Sequence, residues 1–194
     1  MNQPVPAAIG SAPAEFDVDS MVAAMFSKVA AALTSERIRL RDFFRASWPI
    51  VNPRVAYIPN WHNDIMAEHL EAVHAGQIKL LDIRLPPRFG KSFHVTTSFP
   101  CWEWTEDPSE RFLFASYVAK LCNRHSLDRR AIISSPWYQS RWGEFVKLAG
   151  DQNLKTEFQN EARGHMITVP YGSSATGSGG RRLIIDDPIN PMEA

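Results

Sequence analysis

The sequence predicts an α/β domain built on a doubly wound, largely parallel sheet with flanking helices. Two short apolar runs, residues 80–85 and 183–185, are typical of buried parallel strands. Stretches with helix and strand periodicity alternate between them. In such a sheet, ligands bind at the carboxyl ends of the strands. We therefore expect the residues that follow the two runs to meet at one edge of the sheet.

Apolar spacing and turn-forming residues divide the chain into three parts. Residues 1–14, rich in Pro and Ala, predict a flexible tail. Residues 15–60 predict an N-terminal helical segment, with helices capped near Asp19 and Ser35, and then a Pro-rich connector. Residues 61–194 predict the sheet-bearing core.

The core is predicted to begin with a helix and to end with a strand. Its elements are a helix at 61–73, a strand at 80–85, a helix at 93–104, a strand at 111–118, a helix at 119–133, a short helix carrying Trp137 to Leu148, and strands at 165–170 and 183–185. Helical spacing places Leu121, Cys122 and Leu127 inward and Arg124, Arg129 and Arg130 outward on helix 119–133. The polar stretch 150–160 is expected to be exposed.

Composition argues against several classes of protein. The 21 Lys and Arg residues balance 21 Asp and Glu residues, whereas a free-standing nonspecific DNA-binding protein is usually basic. Cys101 and Cys122 match no metal-ligand spacing and are expected to be buried, reduced thiols. No apolar run approaches membrane-span length and no secretory signal is evident, so we expect a cytoplasmic protein.

One basic stripe has two interpretations. Arg37, Arg41 and Arg45 recur every four residues and would line one side of a helix. The stripe is either a contact for DNA or a partner protein, or a solvated face beside Glu36 and Asp42. The second interpretation is favoured.

Residues 85–92 predict a phosphate-binding loop that opens a helix. Gly90 lets the backbone approach an anion closely, and Lys91 supplies a cation for the β- and γ-phosphates. Ser92 offers a hydroxyl oxygen to Mg²⁺. The helix adds unpaired N–H groups and the positive end of its dipole.

The loop departs from the usual GxxxxGK[ST] pattern. Leu85 stands where the first glycine would fall, and Pro86 and Pro87 remove two N–H donors and stiffen the backbone. An isolated Gly-Lys-Ser is more often a surface turn, so the interpretation depends on the strand predicted at residues 80–85 and on the second motif.

Two carboxylates form that second motif. Asp186 and Asp187 directly follow the apolar run 183–185. Asp186 would hold Mg²⁺, directly or through water, and Asp187 would orient or deprotonate an attacking water. The alternative is a strand that ends in an ordinary Asp-Pro turn.

Together these motifs resemble the ATPase domain of phage terminase large subunits, the motors that package DNA into procapsids. The resemblance covers residues 43–194. It rests, in the family's order, on residues 61–62, 68–70, 86–92, 111–117, 176–180 and 184–188.

The resemblance implies an ASCE-type P-loop NTPase that binds ATP and Mg²⁺, with the loop as Walker A and the Asp-rich strand end as Walker B. It implies catalytic roles for Lys91, Asp187 and Arg88, and metal ligands in Ser92 and Asp186. The implied nucleotide-binding residues are Trp61, His62, Pro87, Arg88, Phe89, Gly90, Lys91 and Ser92, with Trp61 and His62 at adenine.

The chain departs from the family pattern at two of these positions. Asp187 replaces the usual Walker B Glu and is one methylene shorter. Arg88 stands three residues before Lys91, whereas many terminases carry an arginine four residues before the Walker A lysine. Arg181 or Arg182 could instead act as an arginine finger on a neighbouring subunit, although two exposed arginines are the favoured interpretation.

The resemblance also implies partners and a larger assembly. Expected partners are double-stranded viral DNA, a portal protein and a small terminase subunit, with a ring of copies on the portal. Further strands, a coupling motif and a nuclease domain follow in the family, so the fold is expected to be incomplete at its C-terminal end. The alternatives are a helicase-like translocase and a non-catalytic nucleotide-binding assembly protein.

Overall fold

The computed structural model describes residues 22, 37–117, 119–154, 156–170 and 179–187. The chain divides into two units, Met1–Thr34 and Ser35–Ala194. In the first unit only Val22 is described, an exposed helical residue. The predicted tail at 1–14, the helix capped near Asp19, the loop at 171–178 and Pro188 therefore lie outside the described residues.

The described part of the second unit contains five α-helices, one π-helical turn and five strands. In chain order these are α1 (Leu40–Val51), α2 (Trp61–His74), the π-helical turn (Phe93–Ser98), α3 (Phe99–Glu106), β1 (Arg111–Ser116), α4 (Ala119–Ile133), α5 (Pro136–Trp142), β2 (Leu148–Asn153), β3 (Glu157–Asn160), β4 (His165–Pro170) and β5 (Arg182–Ile185). The predicted α/β class is confirmed. Among these described helices, none has the length and apolar character needed to cross a bilayer.

The strands form one mixed sheet in the order β2-β3-β4-β1-β5. β4 and β5 both pair with β1 in parallel, while β3 runs antiparallel to β2 and to β4. Phe112 and Phe114 of β1 are buried in the main hydrophobic core. β1 lies in the middle of the three parallel strands, β4, β1 and β5. β5 therefore ends at the same edge of the sheet as β1.

The predicted strand at residues 80–85 is wrong. This segment is extended but belongs to no ladder, and Leu80 is 90% exposed. An apolar run becomes a strand only when a neighbour supplies backbone hydrogen bonds. In the described sheet the outer side of β5 is unpaired, yet residues 80–85 make no ladder with it.

The prediction of an exposed polar stretch at 150–160 is correct only in part, since Gly150, Leu154 and Glu157 are exposed. β2 and β3 form an antiparallel pair there, and Phe158 and Asn160 are buried. The Asn160 amide donates to the carbonyl of Pro108 at 2.7 Å, and its oxygen accepts from the N–H of Gly164 at 2.9 Å. A polar side chain is thus buried because both of its ends find partners.

The expected faces of α4 are partly reversed. Arg129 is fully buried, whereas Leu127 is 47% exposed. Arg129 donates to the carbonyl of Thr96 at 2.8 Å and to the hydroxyl of Thr168 at 2.9 Å, and its guanidinium lies 3.7 Å from the centre of the Phe114 ring. These contacts offset the loss of hydration, although burial still lowers the pKa of Arg129 to about 10.

The remaining helices follow the predictions with shifted ends. α1 begins at Leu40 rather than Ser35 and includes Pro49, which the sequence placed in the connector. The helix after the loop extends to Glu106, and Leu148 begins β2 instead of ending a helix. Cys101 and Cys122 are both buried and unbridged.

The arginine stripe makes local ion pairs. Arg41 and Arg45 lie 3.8 Å and 4.0 Å from the carboxylate of Asp42, and Arg37 lies 3.5 Å from that of Glu106. All three arginines remain largely exposed. These contacts favour the solvated-face interpretation.

A buried ion-pair cluster anchors the start of β5. Arg182 Nε donates to Glu103 Oε1 at 2.9 Å and lies 3.5 Å from Glu110 Oε2, while Arg182 Nη1 donates to the carbonyl of Val73 at 3.1 Å. The side chains of Glu103 and Glu110 are each 1% exposed. Arg182 is therefore neither an exposed arginine nor available as an arginine finger, whereas Arg181 is 75% exposed.

We predict that Arg182→Met strongly destabilises the fold. The change leaves the buried carboxylates of Glu103 and Glu110 without this cation, which costs about 3–5 kcal/mol. Arg181→Met, one residue earlier, should cost less, because Arg181 is 75% exposed and approaches the Glu110 carboxylate only at 3.6 Å. Urea unfolding of both variants measures the difference, and equal losses would contradict a role specific to Arg182.

Candidate functional site

The predicted phosphate-binding loop is an exposed turn that leads directly into a helix. A turn at Pro87 and Arg88 precedes Gly90, and helical structure begins at Lys91. Arg88 and Gly90 have positive φ angles of 71° and 75°. A Cβ at Gly90 would lie 2.9 Å from Cε1 of His94. The position therefore requires glycine both for its conformation and for space.

The helix after the loop contains the π-helical turn. It spans Phe93–Ser98 and continues as α3. π-helical turns are rare and occur often at functional sites. Two buried polar residues of this turn face the site, since His94 contacts Gly90 and Thr96 contacts Asp186.

Asp186 lies directly after β5 and is held from two sides. Its backbone N–H donates to the carbonyl of Ala115 at 3.0 Å, and its Oδ2 accepts from the hydroxyl of Thr96 at 2.9 Å. His125 Nε2 lies 4.0 Å from the same oxygen. Burial lowers the pKa of His125, so the imidazole beside Asp186 is neutral at pH 7.

Asp187 adopts a left-handed backbone conformation, with φ of 47°. Asp and Asn tolerate this region better than other non-glycine residues. Its carbonyl accepts from the N–H of Tyr117 at 3.3 Å, and its Oδ1 lies 3.7 Å from Lys91 Nζ. The Asp187 side chain is 58% exposed, so its carboxylate is accessible to a ligand or to water.

The structure therefore brings the two sequence motifs together. Lys91, at the first turn of the helix, faces Asp187, and Asp186 reaches the same helix through Thr96. Ser92 lies in that first turn and is partly buried. A cation, a helix N-terminus, a hydroxyl and two carboxylates are thus collected at the carboxyl ends of β1 and β5, where a sheet of this kind binds ligands.

The side chains at this site suit a metal ion that is bound partly through a phosphate ligand. Within the described residues, no group of three or more His, Cys, Asp and Glu side chains could hold a metal ion. Mg²⁺, however, is usually held by one or two carboxylates, with phosphate and water oxygens completing its shell. Asp186 and Ser92 offer oxygen ligands of this type, and Thr96 orients Asp186. The residues fit Mg²⁺ carried by a phosphate ligand.

The predicted adenine residues connect to the loop through a third ring. Trp61 begins α2 and is 71% exposed. Its ring centre lies 6.0 Å from that of His62, and the His62 ring centre lies 5.2 Å from that of Phe89. Arg88 is exposed next to Phe89. An exposed aromatic surface therefore borders the loop.

Several site residues were not predicted from the sequence. Thr96 could have been found, since it stands four residues after Ser92 on one helix and so shares its face. His125 and Arg129 carried no comparable signal. They line a cavity of about 10 Å³ beside Asp186, together with Thr168, and a volume of this size is near the minimum for one water molecule.

Comparisons with known proteins add no assignment, since no protein-family model matches the chain and no curated protein matches its sequence. The terminase resemblance therefore rests on the sequence motifs.

We predict that His94 makes the fold sensitive to acid. Burial lowers its pKa from 6.5 to about 4, so the unfolded chain binds a proton at a higher pH than the folded protein does. The stability linked to His94 is fully present above pH 6.5. It is lost as the pH falls from 6.5 to 4, by about 3 kcal/mol in total.

Urea unfolding of the wild type and of His94→Asn between pH 7.5 and pH 4 isolates this contribution. The free energy of unfolding of the wild type should fall relative to that of the variant over this range, because other titrating groups are common to both proteins. A constant difference between the two proteins at all pH values would contradict the prediction.

Proposed function

We propose that this chain is the ATPase part of a terminase-like motor, which hydrolyses Mg²⁺-ATP to drive double-stranded viral DNA into procapsids. The observation that carries the proposal is the 3.7 Å contact between Lys91 Nζ and Asp187 Oδ1. A loop cation and a strand-end carboxylate, far apart in the sequence, meet at the start of one helix. In a P-loop NTPase the loop lysine and the Walker B carboxylate act on the same bound nucleotide, so their proximity supports the proposal.

The loop and the helix N-terminus bind the phosphate chain of ATP in this proposal. Gly90 permits close approach of the backbone, and Lys91 exchanges its contact with Asp187 for the β- and γ-phosphates. That exchange releases the Asp187 carboxylate, which then orients or deprotonates the attacking water. The exposed Arg88 is the candidate for neutralising charge on the transferred phosphoryl group.

Ser92 and Asp186 are the residues that would hold Mg²⁺, with Thr96 and His125 behind Asp186. The ion would supply charge neutralisation on the phosphate oxygens. Pro87 and Phe89 complete the loop.

The aromatic surface at Trp61, His62 and Phe89 is the proposed adenine site. An exposed indole can stack on a purine, and His62 can hydrogen-bond to the edge of the base. The rings border the loop, which suits a nucleotide whose phosphates occupy the loop.

The proposed partners are double-stranded DNA, a portal protein and a small terminase subunit, with a ring of copies on the portal in the host cytoplasm. DNA binding by this chain alone should be weak and salt-dependent. Arg41 and Arg45 lie beside Asp42, and Arg129 is buried, so fewer cations are available to phosphates than the sequence suggested.

We predict that Lys91→Ala weakens Mg²⁺-ATP binding by roughly 10- to 100-fold, because the phosphates lose a charge-assisted hydrogen bond. Isothermal titration calorimetry compares this variant with the wild type. Lys79→Ala, at an exposed turn before the loop, removes the same charge and should bind as the wild type does. Equal affinities for all three proteins would contradict the site.

Asp187→Asn should abolish most ATP hydrolysis while ATP binding changes little. The amide keeps the left-handed backbone accessible but cannot act as a base, so turnover should fall on the order of 100-fold. Phosphate release measures turnover, and Asp82→Asn, at an exposed carboxylate near the loop, serves as the control. If Asp187→Asn hydrolyses ATP at the rate of the wild type, this role is excluded. If the wild-type protein binds ATP but does not hydrolyse it, a non-catalytic nucleotide-binding protein is favoured.

A further inference from the structure

The orientation of one peptide group determines whether the loop can accept an anion. In a planar trans peptide the C=O and N–H groups point in opposite directions, so the Gly90 carbonyl and the Lys91 N–H cannot face the same side. A phosphate requires the N–H to face it, because a carbonyl oxygen repels an anion. Gly90 has φ of 75°, and glycine populates both signs of φ readily. Gly90 by itself therefore does not fix the orientation.

Two contacts from His94 fix it, and its side chain supplies the second. The Gly90 carbonyl accepts from the backbone N–H of His94 at 3.0 Å, an ordinary helical bond, and His94 Nδ1 lies 2.7 Å from the same oxygen. A carbonyl can only accept, so Nδ1 carries the ring proton and donates it. Nε2 of the neutral ring is then an acceptor, and the hydroxyl of Tyr57, 3.3 Å away, donates to it.

The packing around His94 prevents the ring from turning away. The residue is 2% exposed. Its ring centre lies 4.5 Å from that of Phe44 and 5.2 Å from that of Phe93, both at steep interplanar angles. The Cα of Gly90 borders the ring so closely that a Cβ there would overlap it.

We infer that His94, oriented by Tyr57, is a positioning residue that holds the Gly90–Lys91 peptide with its N–H group toward the open side of the loop. Through this peptide it sets the affinity of the loop for the phosphate chain of a nucleoside triphosphate. The inference rests on the proposed function, since it assigns a role within the same site.

A matched pair of variants separates positioning from packing. Asparagine and leucine have nearly the same shape, but His94→Asn places an amide donor near the position of Nδ1, whereas His94→Leu has no donor. Mg²⁺-ATP affinity is measured by calorimetry and stability by urea unfolding at pH 7.5. We expect His94→Asn to bind within a few-fold of the wild type, and His94→Leu to bind at least about 10-fold more weakly although it is equally or more stable.

A purely structural role predicts the opposite order, because affinity would then follow stability. Equal affinities for His94→Asn and His94→Leu, alongside weakened binding by Lys91→Ala, would overturn the positioning role and leave the proposed function intact. A wild-type chain that does not bind Mg²⁺-ATP would overturn both.

Tyr57→Phe gives an independent test that does not alter His94. It removes only the hydroxyl that donates to Nε2 and keeps the ring packed against Trp48. We expect a several-fold loss of Mg²⁺-ATP affinity from the less restrained imidazole. If neither His94 variant folds, this variant decides the question, and wild-type affinity would overturn the inference.

Discussion

The site depends on the parallel pairing of β5 with β1. Because the two strands run in the same direction, the residues that follow β5 emerge beside the carboxyl end of β1, against the helix that opens at Lys91. The close approach also requires Gly180, where a Cβ would lie 3.0 Å from the backbone nitrogen of Leu113. Any shift of β5 along β1 would separate Asp187 from Lys91.

Buried charges hold this pairing at both ends of the strand. At the start of β5, Arg182 is enclosed with Glu103 and Glu110. At its end, Asp186 bonds to Thr96, whose own carbonyl accepts from the buried Arg129. Such groups are costly to bury, and they are tolerated only where their partners are in place. Their geometry is consequently strict, which suits a site that must place a lysine and two carboxylates together.

Most element types and both motifs were evident from local sequence. Apolar spacing is a local property, so β1, β4, β5 and most helices were predicted close to their observed positions. The proximity of Lys91 to Asp187 was also expected, but from a parallel strand at 80–85 that the described sheet does not contain. The observed helices and strands do not establish the activity, because activity depends on which ligand the site binds.

The failures concern properties that depend on distant neighbours. An apolar run at 80–85 is compatible with a strand, yet only backbone pairing makes it one, and in the described sheet the run does not pair with the open edge of β5. Arg129 looked solvent-facing because its partners, Thr96 and Thr168, belong to two other elements. His94 likewise had no apparent role until folding placed it between Tyr57 and Gly90. Local patterns therefore determined the elements and the candidate site residues, whereas long-range hydrogen bonds determined which polar groups are buried and what holds the loop, because a buried polar group needs partners that sequence periodicity does not reveal.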